Sequence, residues 1–163
     1  MHILIQNKFL TYGNYKVKCA IGKRGIRKKR KEGDLITPKG NYSIKKLFYR
    51  KDRVNKLKTK LKKNIINKNF GWCDDPKSRK YNQLIKYPFN YSYEKLYRKD
   101  RIYDIILVLD YNINPIKKNI GSAIFIHVAK NNYMRTKGCV AIKKNSLRKL
   151  IQLINKNTKV KIS

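Results

Sequence analysis

The longest uninterrupted apolar run of the chain is Ile105-Ile106-Leu107-Val108-Leu109, led in by Ile102-Tyr103-Asp104 and closed by Tyr111-Asn112-Ile113-Asn114-Pro115. A continuous apolar run bounded by turn signals reads as a central strand. The segments around it carry matching signals. Ile3 and Ile5 begin an alternating stretch, and beyond Gly13-Asn14 the residues Tyr15, Val17, Cys19 and Ile21 alternate with Lys16, Lys18 and Ala20, which predicts a β-hairpin. Pro38 and Gly40 shape a turn after which Tyr42 and Ile44 resume a strand, and Gly121-Ser122 opens another over Ala123 to Val128. Near the end, Leu147, Leu150, Ile151 and Ile154 fall at i, i+3, i+4 and i+7, predicting a helix that Asn145 could cap, before a last strand from Thr158 to Ile162. The expected fold is mainly β with minor α, and 163 residues fit one domain over 1–163.

Charge points two ways. With 42 Lys and Arg against nine Asp and Glu, the net charge of +33 suggests an anionic partner. Yet Lys outnumbers Arg 32 to 10, whereas bidentate recognition of phosphates and base edges favours Arg. The joint excess of Lys, Asn and Ile looks like drift toward AT-rich codons, so no specific nucleic acid is expected. The basic segment Gly22 to Gly33 reads as a solvated loop or as a contact for an anionic polymer. Tyr49 to Asn69 lacks a clean period and reads as a lysine-rich, irregular insertion at about 50–69, with a short helical turn around Val54 to Leu61.

The opening MHILIQNKFLTYGNYKV has no basic region before its short apolar segment and no small-residue cleavage site, so it is not read as a signal peptide. No run of about 18 apolar residues is present for a membrane helix. Cys19, Cys73 and Cys139 form an odd, widely spaced set without a CxxC pair, which supports neither a zinc site nor a disulfide framework, and no cofactor or metal is expected. Cys19, in an alternating strand, reads as a small core side chain.

The chemistry concentrates in Ile124 to Ile142, IFIHVAKNNYMRTKGCVAI. His127 stands at the downstream end of a strand, and Cys139 follows twelve residues later after Thr136-Lys137-Gly138. A thiol is a competent nucleophile only as thiolate, and a neighbouring imidazole is the usual device for removing its proton. A glycine before the thiol lets the backbone approach a ligand and turn its N–H groups toward a developing oxyanion. Gly71-Trp72-Cys73-Asp74-Asp75-Pro76 concentrates the only Trp and two of the acids. Those acids could cap a helix or pair with Lys77 and Arg79, or meet a substrate ammonium group. The aromatic run Tyr81, Tyr87, Phe89, Tyr91, Tyr93 and Tyr97, with the lone acid Glu94, reads as core or groove lining.

A strand-borne His followed after a loop by Thr, one variable residue, Gly, Cys and an aliphatic residue resembles the signature of the YkuD-type L,D-transpeptidase catalytic domain. The resemblance covers nearly the whole chain. Gly33-Asp34 with Thr37-Pro38-Lys39-Gly40, then Tyr49-Arg50, Gly71-Trp72-Cys73-Asp74-Asp75, Tyr81-Asn82, Tyr103-Asp104 and Gly121-Ser122-Ala123-Ile124-Phe125, look like a compact bacterial subgroup of that family. It implies a YkuD-like β-sandwich with a catalytic groove and a short C-terminal helix. It also implies a cysteine acyltransferase acting on peptidoglycan stem peptides in the cell envelope or periplasm, although this chain shows no export signal and a cytoplasmic placement stays open.

Carried over position by position, Cys139 would be the nucleophile and His127 its base, with Thr136 and Gly138 shaping the site and the amides of Gly138 and Cys139 forming an oxyanion hole. The acyl group of an L-centre residue, usually diaminopimelate, would pass to Cys139 with loss of terminal D-alanine, then to the amine of another stem. Water as acceptor would make the enzyme an L,D-carboxypeptidase instead, and a basic binding module with a vestigial thiol is the remaining alternative. Two positions depart from the family pattern: Val128 replaces a frequent Gly, and Ala141 a frequent polar residue. Arg135 or Lys137 is therefore expected to bind the substrate carboxylate, with Tyr133, Trp72 and Asp74 as further substrate contacts. Asp104 or a backbone carbonyl would orient His127. Anionic wall polymer is an expected contact of the lysine-rich loops, and the protein is expected to be monomeric.

Overall fold

A computed structural model describes residues 1–163. In chain order its strands are β1 (His2–Gln6), β2 (Phe9–Tyr12), β3 (Tyr15–Lys18), β4 (Ile26–Arg27), β5 (Thr37–Pro38), β6 (Gly40–Tyr49), β7 (Lys63–Ile65), β8 (Phe70–Cys73), β9 (Leu84–Lys86), β10 (Tyr93–Lys95), β11 (Ile105–Leu109), β12 (Phe125–Val128) and β13 (Val140–Ile142). Helix α1 (Lys144–Leu153) and strand β14 (Lys159–Ile162) complete the chain. Nine strands form one sheet in the order β13-β12-β11-β6-β14-β1-β2-β3, with β7 alongside β6; β8, β9 and β10 form a small second sheet.

The apolar run that reads as a central strand is β11, and all five of its residues are buried. Its period of two explains why both faces are apolar. Ile105, Leu107 and Leu109 enter the larger core with Leu147, Leu150 and Ile151 of α1, while Ile106 and Val108 enter a smaller core with Phe48, Phe70 and Trp72. The fold is mainly β, with β8–β10 and the large sheet enclosing the smaller core as a sandwich. The large sheet also curls: past β3, Ala20 exchanges backbone hydrogen bonds with Ala141 of β13, so its two ends meet.

Several local expectations change. The N-terminal hairpin is a three-stranded meander, because Asn7 and Lys8 turn the chain with φ of 50° and 62° between β1 and β2. Non-glycine residues adopt that left-handed conformation uncommonly, Asn being among those that favour it, and Lys8 gives no sequence signal for it. Asn145 does not cap α1, which begins at Lys144 after Lys143 without a side-chain cap. No helical turn occurs over Val54 to Leu61; that stretch instead buries Val54 and Leu57 in the larger core, and β7 then pairs with β6.

The basic segment before Asp34 is equally ordered. Asp34, 5% exposed, accepts the amides of Arg30, Lys31 and Ile36 and a buried ion pair from Lys29 at 2.5 Å. Burial by itself pushes the pKa of its carboxyl group up, but these donors outweigh it and hold the pKa at about 2, below the ordinary 3.8. Because the folded value is depressed, the stability Asp34 provides is present above about pH 4 and is lost as pH falls toward about 2. Asp34→Asn should therefore cost about 2 kcal/mol at pH 7, the scale of hydrogen bonds to a buried charge. The cost should shrink toward zero near pH 2, read from urea midpoints at both pH values.

Candidate active site

Parallel pairing joins β12, which carries His127, to β13, which Cys139 immediately precedes. β12 and β13 match Ile126 with Val140, His127 with Ala141 and Val128 with Ile142, so Cys139 lies beside Phe125. Strand alternation then decides the facing. Ile126 and Val128 enter the larger core, while Phe125 and His127 turn to the smaller one, against which Cys139 also packs. The edge of the Tyr103 ring meets both Phe125, at 5.9 Å, and His127, at 5.2 Å between centroids.

The turn before Cys139 is held from three directions. Gly138 has a φ of 145°, and a Cβ there would come within 2.9 Å of the Ile36 carbonyl oxygen, so the position admits glycine alone. Its carbonyl accepts the hydroxyl of the buried Thr37, which in turn accepts the Gly22 amide, both at 2.8 Å. Thr136 Oγ1 accepts the Gly138 amide at 3.1 Å and donates to the Cys139 carbonyl at 2.6 Å. Of the two amides expected to face an oxyanion, that of Gly138 is thus engaged by Thr136, whereas that of Cys139 donates to no protein acceptor.

Cys139 is the one partly exposed cysteine; Cys19 and Cys73 are buried, and all three are free. Its Sγ donates to the Ala123 carbonyl at 3.0 Å and receives the Phe125 amide at 3.4 Å. Burial, seconded by the negative charge of Glu94, pushes the thiol up to about 12. His127 is 6% exposed, and its Nδ1 lies 2.9 Å from the Val128 carbonyl. Since a carbonyl only accepts, Nδ1 carries the proton and Nε2 is left as the basic atom. Burial lowers the imidazole pKa to about 4, against the opposing pull of the Val128 and Ile102 carbonyls. At rest both groups are neutral. No hydrogen bond joins Sγ to the imidazole in this state.

The L,D-transpeptidase catalytic domain family, YkuD, matches residues 4–162. The chain belongs to this family. The fold is also similar to the crystal structure of the helical cell shape determining protein Pgp2 from Campylobacter jejuni, with a TM-score of 0.55 and 17% identity. That likeness covers 99% of this chain and 46% of the other, so the chain spans about half the length of that structure. No curated protein matches the chain.

Within this transpeptidase fold the other expected site residues scatter. The orienting partner of His127 is the Val128 carbonyl; Asp104 is buried elsewhere and pairs with Lys144 at 2.7 Å and Arg53 at 3.3 Å. Trp72 is a core residue at 4% exposure. Its Nε1 donates to Asn82 and its ring meets Phe125 edge-on at 5.3 Å, so it supports the nucleophile's neighbour and offers no groove contact. Asp74 accepts the Ser92 hydroxyl, and Asp75 accepts the amides of Lys77 and Ser92; neither caps a helix or pairs with a cation.

Tyr133 and Arg135 line a hollow of about 270 Å³ with Lys8, Lys18 and Cys19, a space lined by neither Cys139 nor His127. Lys137 is exposed on the turn itself. A second hollow of about 400 Å³ is lined by Arg24, Arg27, Lys28, Arg30 and Lys31, with Asp34 and Ile36.

Residues singled out only in passing turn out to surround the thiol. Ala123 accepts its proton, Tyr103 bridges toward His127, and Glu94 accepts the Tyr103 hydroxyl at 2.7 Å. The Ser122 hydroxyl, next to Ala123, is buried without a hydrogen-bond partner. The sequence signal for Glu94 is its isolation as the one acid inside an aromatic run.

A thiol held near 12 has little thiolate at neutral pH. Iodoacetamide should accordingly alkylate Cys139 in the folded protein about 10²-fold more slowly than free cysteine, because scarcity of thiolate outweighs the greater nucleophilicity of a more basic one. A mass-spectrometric time course at pH 7 measures this, and a rate near that of free cysteine would contradict a neutral resting thiol.

Proposed function

We propose that the chain is a cysteine acyltransferase of the L,D-transpeptidase type, with Cys139 as nucleophile and His127 as general base, acting on peptidoglycan stem peptides. The observation that carries this reading is the placement of Cys139, the one partly exposed cysteine, beside β12 on the face that also carries the Nδ1-tethered imidazole of His127. Substrate entering beside Sγ takes the place of the Ala123 carbonyl as its neighbour, and Nε2 of His127 receives the thiol proton. Sγ attacks the carbonyl of the L-centre residue, and the unpaired Cys139 amide donates to the oxyanion that forms. Collapse breaks the amide bond, and terminal D-alanine leaves with the proton held by His127. An amine of a second stem then attacks the thioester, gives its proton to His127, and releases the cross-linked product and the free thiol. Water in place of the amine yields a trimmed tripeptide, so the same site serves as a carboxypeptidase when no amine is placed.

Family membership supports the cell wall as the place of action. Thr136 has a structural part in this scheme, since its hydroxyl fixes both ends of the nucleophile turn. Arg135 and Tyr133 are too committed to a separate hollow to act as the substrate-carboxylate contact; the exposed Lys137 on the turn is the better placed of the expected cations.

Replacing Cys139 with Ala should abolish the mass increase that a carbapenem leaves on the protein, while Cys19→Ala and Cys73→Ala should keep it. An adduct that survives loss of Cys139 would sink the assignment. His127→Ala should slow acylation by on the order of 10²-fold or more, as loss of a general base does. Incubating tetrapeptide muropeptide with and without an amine acceptor, and weighing the products, then separates cross-linking from trimming.

A further inference from the structure

The nine acids of this chain are outnumbered more than four to one by Lys and Arg, and most of their use is easily read. Asp34, Asp52, Asp100 and Asp104 form ion pairs with cations of the chain. Glu32, Asp74, Asp75 and Asp110 accept from a tyrosine, a serine or backbone amides in turns and at the sheet. Glu94 is different. In the middle of β10 it points into the sandwich, where Oε1 accepts the Tyr103 hydroxyl at 2.7 Å and Oε2 has no partner. Arg98 and Lys137 are near enough to act on its charge, but neither closes an ion pair with it. Arg98 is already held in a two-pronged bond to Asp100.

Two independent routes place this carboxylate at the candidate site. Along one, β10 pairs Glu94 with Trp72 of β8, Trp72 packs on Phe125, and the Phe125 amide reaches Cys139 Sγ. Along the other, Glu94 holds Tyr103, whose ring edge lies on His127. A negative charge here works against the chemistry, because it opposes formation of the thiolate that must attack. An acid that hinders a nucleophile in its empty state is consistent with a cation arriving there with the substrate. Among stem-peptide groups, the amine is the one that carries positive charge, as the side chain of the donor's L-centre residue or as the acceptor nucleophile.

We infer that Glu94 is the substrate-binding residue that receives a protonated amine of the stem peptide beside Cys139. This rests on the acyl-transfer reading above and extends it to specificity. Pairing of the ammonium with Oε2 neutralises the carboxylate, so the same contact that selects the substrate also removes the charge opposing ionisation of Cys139. The expectation that an acid meets the substrate ammonium is thereby moved from the Asp74-Asp75 turn to Glu94, whose Oε1 holds Tyr103 and whose Oε2 is open.

The test compares a tetrapeptide donor bearing a free side-chain amine with the same donor N-acetylated on that amine. Terminal D-alanine release is followed for wild type and Glu94→Gln. If the donor amine binds Glu94, wild type prefers the free amine by on the order of 10²-fold in kcat/KM, chiefly through KM, and Glu94→Gln loses that preference, as removal of one partner of a desolvated charge pair does. If the acceptor amine binds there, Glu94→Gln shifts product from cross-linked dimer to hydrolysed tripeptide, read as the ratio of the two at equal D-alanine release. Either result supports the inference. Equal use of both donors by wild type, together with an unchanged ratio of dimer to tripeptide in Glu94→Gln, overturns it.

Should Glu94→Gln fail to fold, judged by its melting temperature, Glu94→Ala carries the same donor comparison and the same ratio of dimer to tripeptide. Wild-type protein that turns over neither donor while still forming the Cys139 adduct overturns the inference about stem-peptide amines and leaves the nucleophile intact. Absence of the adduct as well overturns the acyl-transfer reading beneath it.

Discussion

Parallel pairing of β12 with β13 is the constraint on which the candidate site depends. It fixes His127 opposite Ala141 and leaves Cys139 one step outside the ladder, beside Phe125, on the face the imidazole shares. A slip of one residue would turn either group into the larger core, because facing alternates along a strand. The register is held from outside as well. Ala20 bonds both ways to Ala141, Thr136 accepts and donates across Ile21 and Lys23, and Thr37 ties the Gly138 carbonyl to the Gly22 amide. The Thr136–Cys139 turn is thus fastened to segments more than a hundred residues away in sequence, as the proposed role of Cys139, which demands close placement, requires.

The price of that placement is reactivity. With the thiol pushed up to about 12 and the imidazole down to about 4, the neutral pair is preferred over the thiolate–imidazolium pair. Burial causes both shifts, since it disfavours the charged form of either group. The Ala123 carbonyl reinforces the resting state by accepting the thiol proton at 3.0 Å. On the acyl-transfer reading, a substrate that displaces that hydrogen bond and supplies compensating charge would couple binding to activation. Nδ1 of His127 is occupied by the Val128 carbonyl throughout, which leaves only Nε2 free to exchange a proton.

What could be read from the chain was what short-range pattern decides. The β11 run, the strand ending at His127 and the apolar spacing of α1 all follow from period and burial, and each appears where expected. The Gly138-Cys139 turn was legible because a positive φ beside a thiol is a local demand. The misses share a different cause. Trp72 looked like a ligand contact since it is the only Trp, but whether an aromatic side chain faces a groove or a core depends on the β8–β12 sandwich, a tertiary fact. Tyr133 and Arg135 precede the thiol by only a few residues, yet left-handed backbone at Asn132 and Tyr133 turns that loop toward Lys8 and Lys18. Asp104 was the natural guess for a histidine partner until the lysine-rich insertion and α1 supplied Arg53 and Lys144 to claim it.

That last competition shows how a chain of charge +33 folds at all. Self-repulsion of so many cations opposes the compact state. The acids are spent where basic segments must lie against the sheet: Asp34 at the loop following Gly22, Asp52 at the buried Arg50, and Asp104 where the insertion meets α1. Arg50 is 3% exposed and also stacks on Tyr97 at 3.4 Å, so its neutralisation by Asp52 is needed for the insertion to start as it does. The remaining cations stay on the surface, where water screens them. A sequence so short of acids has few to place without structural return. A carboxylate with an open oxygen, set between Tyr103 and the neighbours of Cys139, is therefore harder to explain as packing than as recognition, since neither Arg98 nor Lys137 closes an ion pair with it.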